Sequence, residues 1–163
     1  MREQFRKGDF VVYPAHGVGK VTGLERQEFS GIQIDVVAIY FEKDRMIVRV
    51  PLARAQASGL RRLSSRKVMD SAFQTLKGRS RVRRTMWSRR AQEYEAKINS
   101  GDPVSIAEVV RDLHRNSDQP DQSYSERQIY QAALERLVRE VAAIEGITEV
   151  AATERLHQVL KAA

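Results

Sequence analysis

From Gly8 to Pro51 apolar and polar residues alternate in short runs, and after Pro51 the repeat lengthens from two residues to about 3.6. The first stretch is rich in β-branched and aromatic residues separated by turn formers. Phe10 to Tyr13 predicts a strand closed by Pro14, and Pro14-Ala15-His16-Gly17 reads as a turn into a second strand, Val18 to Phe29. Ser30-Gly31 reverses the chain into a third strand, Ile32 to Phe41, and the polar turn Glu42 to Arg45 leads to a fourth, Met46 to Val50. Four or five short strands, with glycines at 17, 19, 23 and 31 to permit bends and bulges, predict a small, strongly bent sheet or barrel.

The second stretch predicts helices. Val68, Ala72, Phe73 and Leu76 mark one, capped by Ser64 or Ser65 and ended by Gly78. A second is expected from Met86 to Asn99 with Thr85 as its N-cap. Asp102-Pro103 starts a third, with Ile106, Val109, Val110 and Leu113 on one face, and the polar stretch Asn116 to Ser123 breaks it. Ser125 and Gln128 have capping-box spacing for the fourth and longest helix, apolar at Ile129, Ala133, Leu137, Val141 and Ile144 and stopped by Gly146. Thr148 to Lys161, with Leu156 and Leu160, gives a fifth. The fold class expected is α+β in two domains: a β module over 1–55, a connection over 56–63, and an all-α domain of about five helices over 64–163.

At 163 residues and 42% hydrophobic content the chain can bury a core, so wholesale disorder is excluded. No run is apolar enough to span a membrane and MREQFRKGDF has no signal-peptide core, so a cytoplasmic protein is expected. The absence of cysteine removes disulfides, thiolate metal sites and cysteine nucleophiles. With His16, His114 and His157 scattered, neither a metal nor a cofactor is expected.

Charge changes the picture most. Of 28 Lys and Arg and 21 Asp and Glu, residues 61–92 hold eleven bases and one acid, Asp70, leaving 17 bases against 20 acids elsewhere. Within Lys77 to Gln92, KGRSRVRRTMWSRRAQ, seven cations meet no acid, and six are arginine: Arg79, Arg81, Arg83, Arg84, Arg89 and Arg90. Such density suits phosphates, which it binds largely without regard to sequence and with strong salt dependence. A membrane-surface helix would need a broader apolar face than Val82, Met86 and Trp87 provide. A solvated basic linker is the plainer alternative.

Trp87, the only tryptophan, has two readings. Trp87, Ala91, Tyr94 and Ile98 have the spacing of a buried helical stripe, which makes Trp87 core. Yet it falls in the first turn of its helix with arginines on both sides. A helix N-terminus attracts anions, and an aromatic plate there suits stacking on or wedging beside a base. The residues alone leave both readings open.

Other candidates are weaker. Gly17-Val18-Gly19-Lys20 lacks the spacing of a phosphate loop and leads into a strand, and His16 reads as a turn residue or partner contact. Glu25, Glu28, Asp35 and Glu42 form no evident acid–base pair, so no enzymatic site and no small-molecule substrate are indicated.

GDFVVYPAHGVGKV near the start, MIVRVP at 46–51, TMWSRR at 85–90 and SGDPVSIAEVVRDL at 100–113 together resemble the bacterial CarD and CdnL family of transcription regulators, over almost the whole chain and in order. The N-terminal module also looks like the polymerase-interacting domain of the transcription-repair coupling factor. The resemblance implies a Tudor-like module docking on the RNA polymerase β subunit, which would place the protein at the nucleoid. It further implies a helical domain on promoter DNA, whose tryptophan, here Trp87, inserts at the upstream edge of the bubble and stabilises the open complex. Arg89 and Arg90 would hold the backbone there, and Arg49 of the VRVP motif would contact the polymerase; the run Arg79, Arg81, Arg83 and Arg84 is richer in arginine than the family pattern and is expected to carry phosphate contacts on the N-terminal side of the wedge. Two positions depart from the family pattern. Gln27 stands where some members carry a second polymerase-contacting arginine, and Gln92 where some carry a basic residue. Two other functions fit the residues themselves: an RNA-binding or ribosome-associated protein, and a nonspecific architectural protein coating duplex DNA.

Overall fold

The computed structural model describes residues 5–79, 86–114 and 123–162, which divide into two compact units, 1–63 and 64–163. The first is an antiparallel sheet of five strands, β1 (Phe10–Tyr13), β2 (Gly17–Phe29), β3 (Ile32–Phe41), β4 (Met46–Pro51) and β5 (Arg61–Arg62), in the order β4-β3-β2-β1-β5. The β2–β3 hairpin turns at Ser30 and Gly31, both at positive φ (50° and 81°), with Phe29 opposite Ile32. Two left-handed residues give the turn whose twist matches the flanking strands.

Register fixes which residues form the core. Val37, Ile39 and Phe41 of β3 face Val50 and Val48 of β4 and Val21 of β2, and with Phe5, Val11, Ala55 and Leu60 they fill one side of the sheet. Gly19 lies on this side because nothing larger fits. A Cβ there would stand 2.6 Å from both Ile39 Cγ2 and Phe41 Cε1. A slip between Val21 and Gly23 kinks β2.

A strand at 61–62 was not among those expected. Residues 56–63, read from the sequence as a connection, contain buried Leu60 and β5, whose Arg61 and Arg62 pair with Val12 and Val11. A two-residue strand has no period to read, so only pairing with β1 reveals it.

The second unit has five helices: α1 (Arg66–Lys77), α2 (Trp87–Asn99), α3 (Pro103–Leu113), α4 (Tyr124–Glu145) and α5 (Glu149–Ala162). Caps set most of their ends. Ser65 accepts from Val68 N, Asp102 accepts from Ser105 N ahead of Pro103, and Gly146 ends α4 in the left-handed conformation. Three expectations shift. The α4 cap is Ser123, accepting from Glu126 N, rather than Ser125. Both serines have capping-box spacing, and the earlier one places an acid in the positive first turn. The α2 N-cap is Met86, without a side-chain hydrogen bond; Thr85 lies outside the described residues. On α1 Met69 is buried along with Ala72 and Leu76, while Val68 is exposed.

The helical core gathers Met69, Ala72 and Leu76 of α1, Tyr94 and Ile98 of α2, all four expected positions of α3, and the inward stripes of α4 and α5. Its buried Glu140 accepts a 2.7 Å hydrogen bond from the Ser64 backbone N–H. This satisfies a carboxylate whose burial without a partner would be costly.

Candidate functional site

Helix α2 carries Trp87 together with Arg89 and Arg90 of the charged segment. Its apolar stripe docks Tyr94 and Ile98 into the core, and the same stripe run back to the first turn seats Trp87, half-buried, against that core. The Trp87 and Tyr94 rings lie 6.2 Å apart at 48°. Arg90, one turn on from Trp87 and one turn before Tyr94, lays its guanidinium over both, with Cζ 5.3 Å from the Trp87 ring and 5.9 Å from the Tyr94 ring.

Arg90 Nε is buried and has no hydrogen-bond partner among the described residues. The ring faces therefore stand in for part of its lost solvation. Ser88 and Arg89 are exposed, as is Arg79 just past the end of α1. Among the described residues no carboxylate pairs with Arg79, Arg89 or Arg90, so their charge is available to an outside anion. Arg81, Arg83 and Arg84 lie outside the described residues.

The core reading of Trp87 thus holds for part of the side chain. One part of the ring packs as core, which fixes its orientation, and the rest is accessible beneath a cation. The Arg90 stack was missed in the sequence, although its i, i+3, i+7 spacing from Trp87 to Tyr94 is a readable signal.

In the sheet unit, Arg49 stands on β4 opposite Ala38, on the face turned away from Val37, Ile39 and Phe41. Glu25, across β3 on that face, accepts from Arg49 Nε at 3.3 Å, and the two side chains are 45% and 41% exposed. An exposed pair of this kind contributes at most about 1 kcal/mol and exchanges easily for another partner. Gln27, two residues along β2 from Glu25 and opposite Ile34, shares the face, as do the exposed Phe10, Tyr40 and Ile47. These aromatic and aliphatic neighbours were not singled out in the sequence, because Val36 to Phe41 is continuously apolar and hides which side each residue takes.

The remaining candidates have structural places. His16 Nδ1 is 3.2 Å from Asp44 Oδ2, and its ring stacks on Tyr13 and lies tilted against Phe41. Gly17 to Lys20 lies within β2, and its second glycine makes room for the core. No described helix is long and apolar enough to cross a membrane.

Two family models match the chain in succession: the CarD-like/TRCF RID domain over residues 5–64, and the CarD C-terminal domain over residues 71–157. The chain belongs to the CarD family. Among its relatives is YdeB of Bacillus subtilis (strain 168), a protein named for a transcription-factor role, 30% identical over 145 residues that span 89% of this chain and 95% of YdeB. Two solved structures from Myxococcus xanthus also match. The N-terminal domain of CarD is 34% identical over 38% of this chain and 89% of that domain, with a TM-score of 0.32. CdnLNt is 32% identical over 40% of this chain and 92% of that one, with a TM-score of 0.33. The protein is accordingly of the CarD transcription-factor type, and its first unit is an RNA polymerase-interacting domain.

Proposed function

We propose that this CarD-family protein stabilises the open promoter complex. The sheet unit docks on the polymerase β subunit through the face carrying Arg49 and Gln27. The helical unit sets Trp87 as a wedge at the upstream edge of the bubble, with Arg89, Arg90, Arg79, Arg81, Arg83 and Arg84 on the DNA backbone. The single observation that carries this reading is the Trp87–Arg90 pair: an aromatic plate braced on one side by Tyr94 and crowned by a guanidinium with no carboxylate partner among the described residues.

Physics favours the junction of duplex and bubble as the place of action. Prying a base step apart costs a few kcal/mol within a duplex and least where stacking already ends. A pre-oriented ring loses little further entropy on insertion. Sequence readout is unnecessary, because docking on the polymerase raises the local concentration of the helical unit at the promoter.

Trp87→Ala tests the reading. Plain duplex binding, held by the arginines, should be nearly unchanged, while heparin-challenged open complexes should decay faster than with the parent protein. Equal lifetimes would remove the wedge. Charge removal at Arg83 and Arg84 should flatten the salt dependence of duplex binding by roughly one unit per lost contact.

A further inference from the structure

Met86 occupies two unfavourable situations at once. It is the N-cap of α2, where Ser, Asp or Asn would accept a hydrogen bond from the first turn and methionine cannot, and no side chain caps this helix. Its side chain is also 78% exposed, more than any other large hydrophobic among the described residues. Ser, Asn or Asp here would improve both the helix start and the solvation of the surface. Local rules broken together, without a compensating contact among the described residues, point to a contact outside the protein.

The neighbourhood says what that contact is. Met86 immediately precedes Trp87, and the segment Lys77 to Gln92 holds seven cations and no acid, so the matching surface is a polyanion with an apolar cleft. A DNA base step opened at a duplex end is such a surface. Methionine is among the side chains that serve as apolar wedges in DNA, being long, unbranched and polarisable enough to follow an irregular gap. Trp87 is held by Tyr94 and Arg90, whereas Met86 stands outside the helix proper with its backbone at φ −57°, ψ 140°.

We infer that Met86 is a second, adaptable element of the wedge, filling the edge of the opened step that the fixed Trp87 ring leaves uncovered. The inference rests on the fork-wedge reading of Trp87 and adds a residue to it. The uncapped helix start is then the counterpart of an apolar probe placed where it can reach DNA.

The test uses the full-length protein with RNA polymerase holoenzyme on a promoter carrying 2-aminopurine at the upstream junction. Met86→Asn restores a cap, so its melting temperature should equal or exceed that of the parent. Open-complex lifetime and junction fluorescence should nonetheless fall toward the values without the protein, the lifetime by about five-fold if much of the side chain is buried. Met86→Leu, which keeps the apolar volume, should stay near the parent. If Met86→Asn matches the parent while Trp87→Ala shortens the lifetime, the inference about Met86 fails and the Trp87 wedge stands. If neither substitution changes the lifetime, the wedge itself fails. Equal losses in the Asn and Leu variants would also overturn the inference, since apolar volume would not be what matters.

Discussion

The guanidinium carbon of Arg90 stands 5.3 Å from the centre of the Trp87 ring, one helical turn away, and its buried Nε has no hydrogen-bond partner among the described residues. Arg90 therefore does two things: it pins an aromatic plate, and it holds a cation over the plate. Arg90→Ala should release the ring, raising the accessibility of the single tryptophan to an uncharged fluorescence quencher. It should also lower the salt slope of forked-DNA binding by about one unit. Arg90→Lys keeps the charge and loses the planar stack, so its slope should match the parent while its quenching rises. An unchanged slope in Arg90→Ala would show that this guanidinium holds no phosphate.

The two serines at the start of α4 can be told apart by stability. Ser123 accepts from Glu126 N at 3.2 Å, whereas Ser125 is exposed within the first turn. Ser123→Ala should destabilise the protein by about 1 kcal/mol in a urea titration. Ser125→Ala should stay within roughly 0.5 kcal/mol of the parent. The reverse order would return the cap to Ser125.

Much of the fold was legible because its signals are local. Strand ends at Pro14, Ser30-Gly31 and Glu42 to Arg45, and helix ends at Ser65, Asp102-Pro103 and Gly146, each rest on a backbone preference that no distant contact overrides. What escaped was set by tertiary contact. β5 exists only because β1 is beside it, and Met69 replaced Val68 inside the core because packing against neighbouring helices decides which flank of an apolar stripe turns inward. The candidate site divides similarly. Arginine density and the lone tryptophan are visible in one dimension. The half-burial of Trp87 and the pairing of Arg49 with Glu25 depend on which faces the core leaves open.

Burial ties the stability of the helical unit to alkaline pH through Tyr130. Its hydroxyl lies 3.2 Å from His114 Nδ1, and loss of solvent raises the phenol pKa above its usual value of 10.0. Unfolded, the phenol ionises at about 10; folded, it holds its proton to higher pH. Above that point the native state binds more protons than the unfolded one, so this contribution is complete below pH of about 10 and is lost as pH climbs through the folded value. Tyr130→Phe should be less stable than the parent at neutral pH by about 1 kcal/mol, through the lost hydrogen bond. The difference should shrink as pH rises past 10 in melting experiments. A gap that is constant across this range would detach the effect from ionisation.

Arg49 offers the sharpest separation between the two units. Its partner Glu25 is an exposed neighbour on the same sheet face, and the native pair contributes little to folding. Arg49→Glu places two carboxylates across β3, a modest repulsion that water screens, so the melting temperature should change only slightly. On the proposed docking, an acidic group of the β subunit facing Arg49 would meet a like charge in a partly dehydrated setting, where the penalty reaches several kcal/mol. Arg49→Glu should therefore abolish capture of the polymerase β subunit in a pull-down while leaving the affinity for forked DNA unchanged. Glu25→Gln provides the control. It frees Arg49 from its internal partner, so β-subunit binding should hold or strengthen. Normal capture by Arg49→Glu would move the docking surface away from this face, and a loss of DNA affinity in the same variant would contradict the separation of roles between the sheet and the helices.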